Sequence, residues 1–371
     1  MGKLRRFLPP LFLSLAGLAH TVSVRPAALV SMPSDIVDGN SPAVWQDGIL
    51  NVYTSTGTPI RMTGPGIFGI ALDTPPQIAP DVHLPLWIEA VWRDDDGTTY
   101  AWYHHEARSC GDKLAVPSIG ALVSHDGGVH FDDLGIVLAS GDPIDCGAQN
   151  GFFATGHGDF SVVLDQTREY FYFFYTNYGG LASSQGIAIA RLSFQDRAKP
   201  VLWKYHLGEW LQPGLGGKVT PLFTARVPWQ RENTDSFWGP AVHWNTSIDS
   251  YVMLLNRACC EPGWPQEGIY ASIGFDPAFP AGWSQPKKIL DGDEIGFAPG
   301  YYPQAFGTGT GETDTFAGKH PRLFVKGISK WELSFDEQPP PPDPDCDPCA
   351  VSPAAAVGSA KTGGRVQRRQ R

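Results

Sequence analysis

Three carboxylates stand at or near the heads of short apolar stretches in the first half of the sequence: Asp38 in DGNSPAVW, Glu89 in WIEAVW and Asp159 in GHGDFS. Taken singly, such acids have ordinary uses. Asp38 could bind its own backbone through the DGN turn, and Asp159 could accept N–H groups after the Gly-His-Gly turn. Glu89 lies within an apolar run, where an unpaired charge is expensive, so a buried partner or a place in a site is expected of it. Taken together, acids that converge lose water and repel one another, which raises at least one pKa and leaves a proton donor beside an ionised base. Cleavage of a glycosidic bond needs that pairing, an acid for the leaving oxygen and a carboxylate base or nucleophile across the sugar ring. Whether the three converge depends on the elements that carry them.

The stretch DFSVVLDQTREYFYFFYTNY, 159–178, has the length, aromatic content and polar turn of a buried antiparallel hairpin. Comparable units recur. Gly69-Ile70-Ala71-Leu72, Gly120-Ala121-Leu122-Val123, Gly186-Ile187-Ala188-Ile189 and Gly268-Ile269-Tyr270-Ala271 read as versions of one third strand. Asp38 precedes Gly69 by 31 residues, Glu89 precedes Gly120 by 31, Asp159 precedes Gly186 by 27 and Trp238 precedes Gly268 by 30. First and second strands match as NSPAVW/ILNVYTS, LWIEAVW/TTYAWYHHE and FWGPAVHW/YVMLLNRA. A fifth unit runs through YYPQAFG, a polar insertion at 308–319, RLFVKGI and KWELSF. Four-stranded antiparallel units repeated about five times predict an all-β, five-bladed β-propeller over 35–335, whose radial closure leaves few open edges. Ser124–Phe131, SHDGGVHF, fits the Asp-box pattern S-x-D-x-G-x-x-[WF], in which Ser and Asp tie down a hairpin and the aromatic packs between sheets.

The ends and the composition set the compartment and exclude other functions. Lys3, Arg5 and Arg6 before the apolar run 7–19 read as a signal peptide over 1–19, followed by a linker at 20–34. The Pro-rich stretch 336–371 reads as a disordered tail, and its Cys346 and Cys349 lack the second ligand pair of a zinc site. The expected location is secreted or periplasmic, with no membrane attachment once the leader is removed. Four cysteines in the body suit oxidising conditions: Cys110 could pair with Cys146, while Cys259 and Cys260 are either a vicinal disulfide or two small buried residues. A net charge of −10 with no basic patch argues against a nucleic-acid partner. GLGGKV and GTGTGE fail the phosphate-loop pattern, and there is no GxSxG elbow.

With the repeats and the three acids in view, the body resembles the five-bladed propeller glycoside hydrolases, the superfamily containing families 32, 43, 62, 68, 117 and 130. The resemblance implies that equivalent first-strand positions meet at one end of a central channel. It implies Asp38 as base or nucleophile on blade one, Glu89 in the tuning and orienting position on blade two, and Asp159 as acid on blade three. The Asp and Glu of the last two positions are exchanged relative to family 43, so Glu89 stands beside Asp159 as a second candidate for the donor. Flat rings that could stack on sugars are Trp45, Trp87, Trp238, Tyr301 and Tyr302, with Trp238 foremost because WGP leaves it at a strand start. Asn40, Asn245 and Gln304 could bond hydroxyls, and His104 and His157 could face the funnel. No metal ligand set is legible and no cofactor is expected, although a structural Ca2+ in the channel is compatible with the acids. The expected activity is hydrolysis of a glycosidic bond in an oligo- or polysaccharide; the alternative is a non-catalytic propeller that binds carbohydrate or protein. Oligomeric state is not legible.

Overall fold

The computed structural model describes residues 20–34, 37–296 and 301–337. The expected leader and all but the first two residues of the expected tail, Cys346 and Cys349 included, lie outside the described residues.

Strand β1 (His20–Ser31) opens the chain. Blade one holds β2 (Ala43–Gln46), β3 (Ile49–Ser55), β4 (Pro59–Gly64) and β5 (Ala71–Leu72). Blade two holds β6 (Gln77–Ala79), β7 (Leu86–Arg93), β8 (Thr99–Ser109), β9 (Leu114–Ser124) and β10 (His130–Leu138), with β6 at its outer edge. Blade three holds β11 (His157–Leu164), β12 (Tyr170–Asn177), β13 (Gly186–Ser193), β14 (Leu202–His206), β15 (Glu209–Pro213) and β16 (Phe223–Thr224). Blade four holds β17 (Ser236–Asn245), β18 (Ser250–Ala258), β19 (Gln266–Gly274) and β20 (Lys287–Asp291). Blade five holds β21 (Pro303–Phe306), β23 (Arg322–Val325) and β24 (Ile328–Glu337), while β22 (Phe316–Ala317) joins the inner edge of blade four. The five sheets form a five-bladed β-propeller.

Two stretches differ from expectation. Residues 20–34 are not a linker: β1 pairs antiparallel with β24, from His20 opposite Glu337 to Ser31 opposite Ile328, and supplies the outer strand of blade five. The pattern HTVSV explains it, because Val22 and Val24 pack against the core between blades four and five while intervening residues face outward. In blade one the third strand is β4, PIRMTG, and Gly69 lies in the turn before the two-residue β5. The 31-residue count from Asp38 therefore ends on a different structural position from the counts in blades two to four.

Each neighbouring pair of blades shares a core. Trp102, Phe160, Phe171, Phe173 and Tyr175 fill the space between blades two and three, and Tyr172, Phe174, Met253 and Leu255 the space between three and four. Such aromatic filling explains why YFYFFY occurs in a strand: both of its faces are buried, one toward each neighbour. The Ser124–Phe131 turn is held by Ser124 Oγ, which accepts from Gly128 N (2.9 Å), and by Asp126 Oδ1, which accepts from His130 N (2.9 Å). Phe131 is buried edge-on to Tyr53 of blade one.

Candidate active site

Glu89 and Asp159 owe their orientation to breaks in strand pairing. In β7 the register with β8 shifts between Ile88 and Ala90, and in β11 the register with β12 shifts between Gly158 and Phe160. Each acid is the extra residue of a bulge, the device that re-aims a side chain out of a regular ladder. Asp159 has φ +42°, a left-handed conformation uncommon for Asp. Blade four bulges at the matching place, between Trp238 and Ala241, but carries Gly239 and Pro240 there. Asp38 does not share this position. It sits four residues before Pro42 in the loop leading to β2 and reaches the same cavity from that loop.

The cavity, about 350 Å³, is lined by Asp38, Glu89, Glu106 and Asp159 among the acids, with His104 between them. Its aromatic wall includes Trp87, Phe152, Trp238, Trp264 and Tyr302. Glu89 is 3% exposed and Asp159 4%, whereas Asp38 is exposed at the mouth. Glu89 Oε2 accepts the Phe160 N–H at 2.7 Å, and Oε1 lies 3.7 Å from His104 Nδ1. Gly39 packs so closely on Glu89 that a Cβ there would fall 2.9 Å from Oε1. Asp159 accepts hydroxyl hydrogen bonds from Tyr178 and, at 3.3 Å, from Tyr302. Both hydroxyls are held well above their usual pKa, first by burial and then by the carboxylate itself, so they remain donors.

These partners separate the two buried acids. Burial lifts Glu89 to about 8; His104 and the Phe160 amide oppose the lift, while nearby Asp159 and Asp38 add to it. Burial raises Asp159 also, but His104 and the Tyr178 hydroxyl stabilise its charge. One amide serves Glu89 and two hydroxyls serve Asp159, so the shared proton belongs on Glu89. Asp38 is raised by the surrounding wall, against the attraction of Lys326; its solvent contact moderates that lift. Burial works to raise Glu106 as well, yet His104 holds it below its ordinary value.

His104 is pulled two ways. Its Nδ1 accepts the Asp159 N–H at 3.0 Å, which requires a lone pair there and places the ring proton on Nε2, 3.5 Å from Glu106 Oε1. Burial disfavours a second proton, but Glu106, Asp159 and Glu89 draw the ring up to about 9. A second proton on Nδ1 would displace the Asp159 amide, so the charged ring and that hydrogen bond exclude each other.

Among the expected site residues, the cavity gathers Asp38, Glu89, Asp159, His104, Trp87, Trp238, Tyr301 and Tyr302. Trp238 is mostly covered, edge-to-face with Trp264 (5.3 Å), Tyr301 (4.9 Å) and Tyr302 (5.6 Å), so its flat face is not free for a sugar. The half-buried Trp87 and exposed Phe152 offer more accessible rings. Five expected residues lie elsewhere. Asn40 bonds the Phe160 and Pro240 carbonyls and ties blade one to blades three and four. Gln304 bonds both the N–H and the carbonyl of Ser41, linking blades five and one. Asn245 closes its own turn onto Ser247 and Gly318. Trp45 donates to the Glu312 carbonyl in a separate groove. His157 is sealed against Lys204 and Gly156. Each is held by hydrogen bonds within the fold and away from the cavity, although the Asn40 Oδ1 is left without a partner among the described residues.

The sequence reading missed Glu106, Phe152, Trp264 and Tyr178 as members of the site. Glu106 was legible: it follows His104 by two residues, on the same face of a strand. Phe152 comes from the loop between blades two and three and Trp264 from the β18–β19 loop within blade four, where no periodicity points to them. Two disulfides stabilise those loops, Cys110–Cys146 and Cys259–Cys260. Glu89, His104 and Asp159 offer ligand atoms within 4.8 Å of one another, but two oxygens and a nitrogen, with His104 Nδ1 already accepting an amide, do not make the oxygen cage that Ca2+ takes.

No family model matches the chain, and no curated protein matches it. Solved structures do. A candidate exo-β-1,3-galactanase from Bifidobacterium bifidum is 12% identical, with 80% of this chain and 86% of that one covered at a TM-score of 0.49. An exo-β-1,3-galactanase from Phanerochaete chrysosporium is 10% identical, with 86% and 64% covered at 0.48. An arabinanase from Bacillus subtilis is 12% identical, with 81% and 94% covered at 0.44. A family 43 β-1,3-galactosidase is 11% identical, with 82% of this chain and 94% of that one covered at a TM-score of 0.47.

Proposed function

We propose that this protein is an exported enzyme that hydrolyses a glycosidic bond of an oligo- or polysaccharide. The observation that carries the proposal is the unequal provision made for two adjoining buried acids, one amide for Glu89 and two hydroxyls for Asp159, under an open, aromatic-walled cavity. In this reading Glu89 protonates the leaving oxygen and Asp38, at the wetter mouth, activates water or attacks the sugar. Asp159 holds the field that keeps Glu89 protonated, and its own orientation comes from Tyr178, Tyr302 and His104. Trp87 and Phe152 supply the apolar faces against which a sugar ring packs. The basic and apolar leader of the sequence and the two disulfides support export.

The near-complete burial of Glu89 and Asp159 favours a second reading, a non-catalytic propeller whose acids join strands and whose cavity only binds carbohydrate. A screen of the purified protein against arabinan, xylan, fructan, mannoside and galactan separates the two. Hydrolysis that disappears in both Glu89→Gln and Asp38→Asn supports the enzyme. Sugar binding with no hydrolysis of any substrate supports the binding module.

A further inference from the structure

Strand β8 runs as a ladder up one wall of the cavity. His104, Glu106 and Arg108 alternate along it, all three line the cavity, and they pass from fully buried to exposed. At about 3.4 Å per residue, Arg108 stands about 14 Å along the strand from His104. Lys113, across the turn at Cys110–Asp112, lines the same rim. The turn is fixed in place: Cys110 is disulfide-bonded to Cys146, and Ala115 exchanges backbone hydrogen bonds with Phe152 and Ala154. Arg61, Arg197 and Arg257 each bind an aspartate, whereas the side chains of Arg108 and Lys113 form no hydrogen bond or ion pair among the described residues, Arg108 only attracting Glu106 two residues away on the strand. The cavity thus has an acidic floor and a cationic rim on one rigid hairpin.

We propose that the substrate carries an anionic substituent, a uronate carboxylate or a sulfate ester, on a sugar adjoining the one cleaved, and that Arg108 and Lys113 bind it. The proposal rests on the glycosidase reading and specifies its substrate class. The acids of the floor repel a charge placed among them, so the anion belongs at the rim, where a guanidinium fork and an ammonium meet it. The arrangement sorts substrates by the distance of their charge from the bond that breaks.

Calorimetric titration of the Asp38→Asn variant tests this without turnover. The probes are an oligogalacturonate beside its methyl ester, and a sulfated galacto-oligosaccharide beside its desulfated form. The expected result is at least about tenfold tighter binding of one charged probe than of its neutral counterpart, the size of one charge-assisted contact. That preference falls as salt is raised and disappears when Arg108→Gln and Lys113→Gln are added, with the melting temperature checking that the fold is intact. Preference in the first pair alone assigns a uronate, and in the second alone a sulfate ester. Equal affinities within both pairs, or a preference that survives the double substitution, overturn the inference and leave the glycosidase reading standing. Absence of binding to these probes, with hydrolysis of neutral polysaccharide by the native protein, also overturns only the inference. Absence of both binding and hydrolysis with every sugar overturns the two together.

Discussion

His104 and His157 lie on neighbouring blades, 3% and 1% exposed, yet their surroundings drive them in opposite directions. His104 faces Glu89, Glu106 and Asp159 and is drawn up to about 9 against its burial. His157 is pushed well below its usual value, first by burial and then by the charge of Lys204. Lys204 Nζ donates to His157 Nε2 at 2.9 Å, to the Ala139 carbonyl at 2.8 Å and to the Gly217 carbonyl at 3.0 Å, while His157 Nδ1 donates to the Gly156 carbonyl at 3.0 Å. Every position around that lysine is occupied by protein, and the arrangement only holds blades together. Around His104 the carboxylates have fewer donors than they can accept and an open cavity above them, so a proton has somewhere to go. Equal burial therefore marks structure in one place and, in the glycosidase reading proposed above, chemistry in the other, and the partners decide which.

The substitution with the largest expected effect is Glu89→Gln. An amide oxygen still accepts the Phe160 N–H, so the fold should hold while turnover falls about 10²–10⁴-fold, the usual worth of a positioned proton donor. A loss below tenfold on a hydrolysed substrate would remove the chemical half of the comparison. Lys204→Met probes the other half. It strips a donor from two carbonyls and His157, so urea unfolding should show a loss of roughly 3 kcal/mol, with KM for any substrate little changed.

The pH dependence of stability should distinguish the two clusters by sign. His157 binds a proton less readily folded than unfolded, so its contribution is present above about 6.5 and is lost as pH falls below that value. Glu89, raised from 4.5 to about 8, acts in reverse: its contribution is present below 4.5 and is lost as pH rises toward 8. Either limb changes by at most about 1.4 kcal/mol per pH unit. His157→Gln should flatten the acid limb and Glu89→Gln the neutral one; identical curves for both variants would erase the distinction. The smallest effect belongs to Tyr302→Phe, which deletes one 3.3 Å bond to Asp159 and should cost about 1 kcal/mol or less.

Much of this architecture is legible in the chain because both faces of inner strands are buried: FSVVL, YFYFFY and GIAIA cannot be amphipathic surface elements. Glu89 and Asp159 are legible for the complementary reason, as charges in apolar runs. Asp38 reaches the cavity, but the repeat count that aligned it was misled by blade one, whose PIRMTG strand looks polar and whose Gly69 belongs to a turn. Asn40, Gln304 and Asn245 suit sugar hydroxyls in the sequence but bond backbone in the fold, because an amide carries no sign of which backbone it will meet. Glu106 follows from its two-residue spacing to His104 on β8, whereas the loop aromatics Phe152 and Trp264 depend on long-range placement that no local pattern encodes.

The pairing of β1 with β24 gives the ring an order of assembly. The strand synthesised first among those described must wait for the last, with almost the whole propeller made in between. Until β24 arrives, the inner edge of β1 and the valines behind it have no partner, so ring closure is the contact of greatest sequence separation and a slow step in folding. A shortened product that stops before Ile328 would keep every acid of the cavity and still lack the strand that locks its circle.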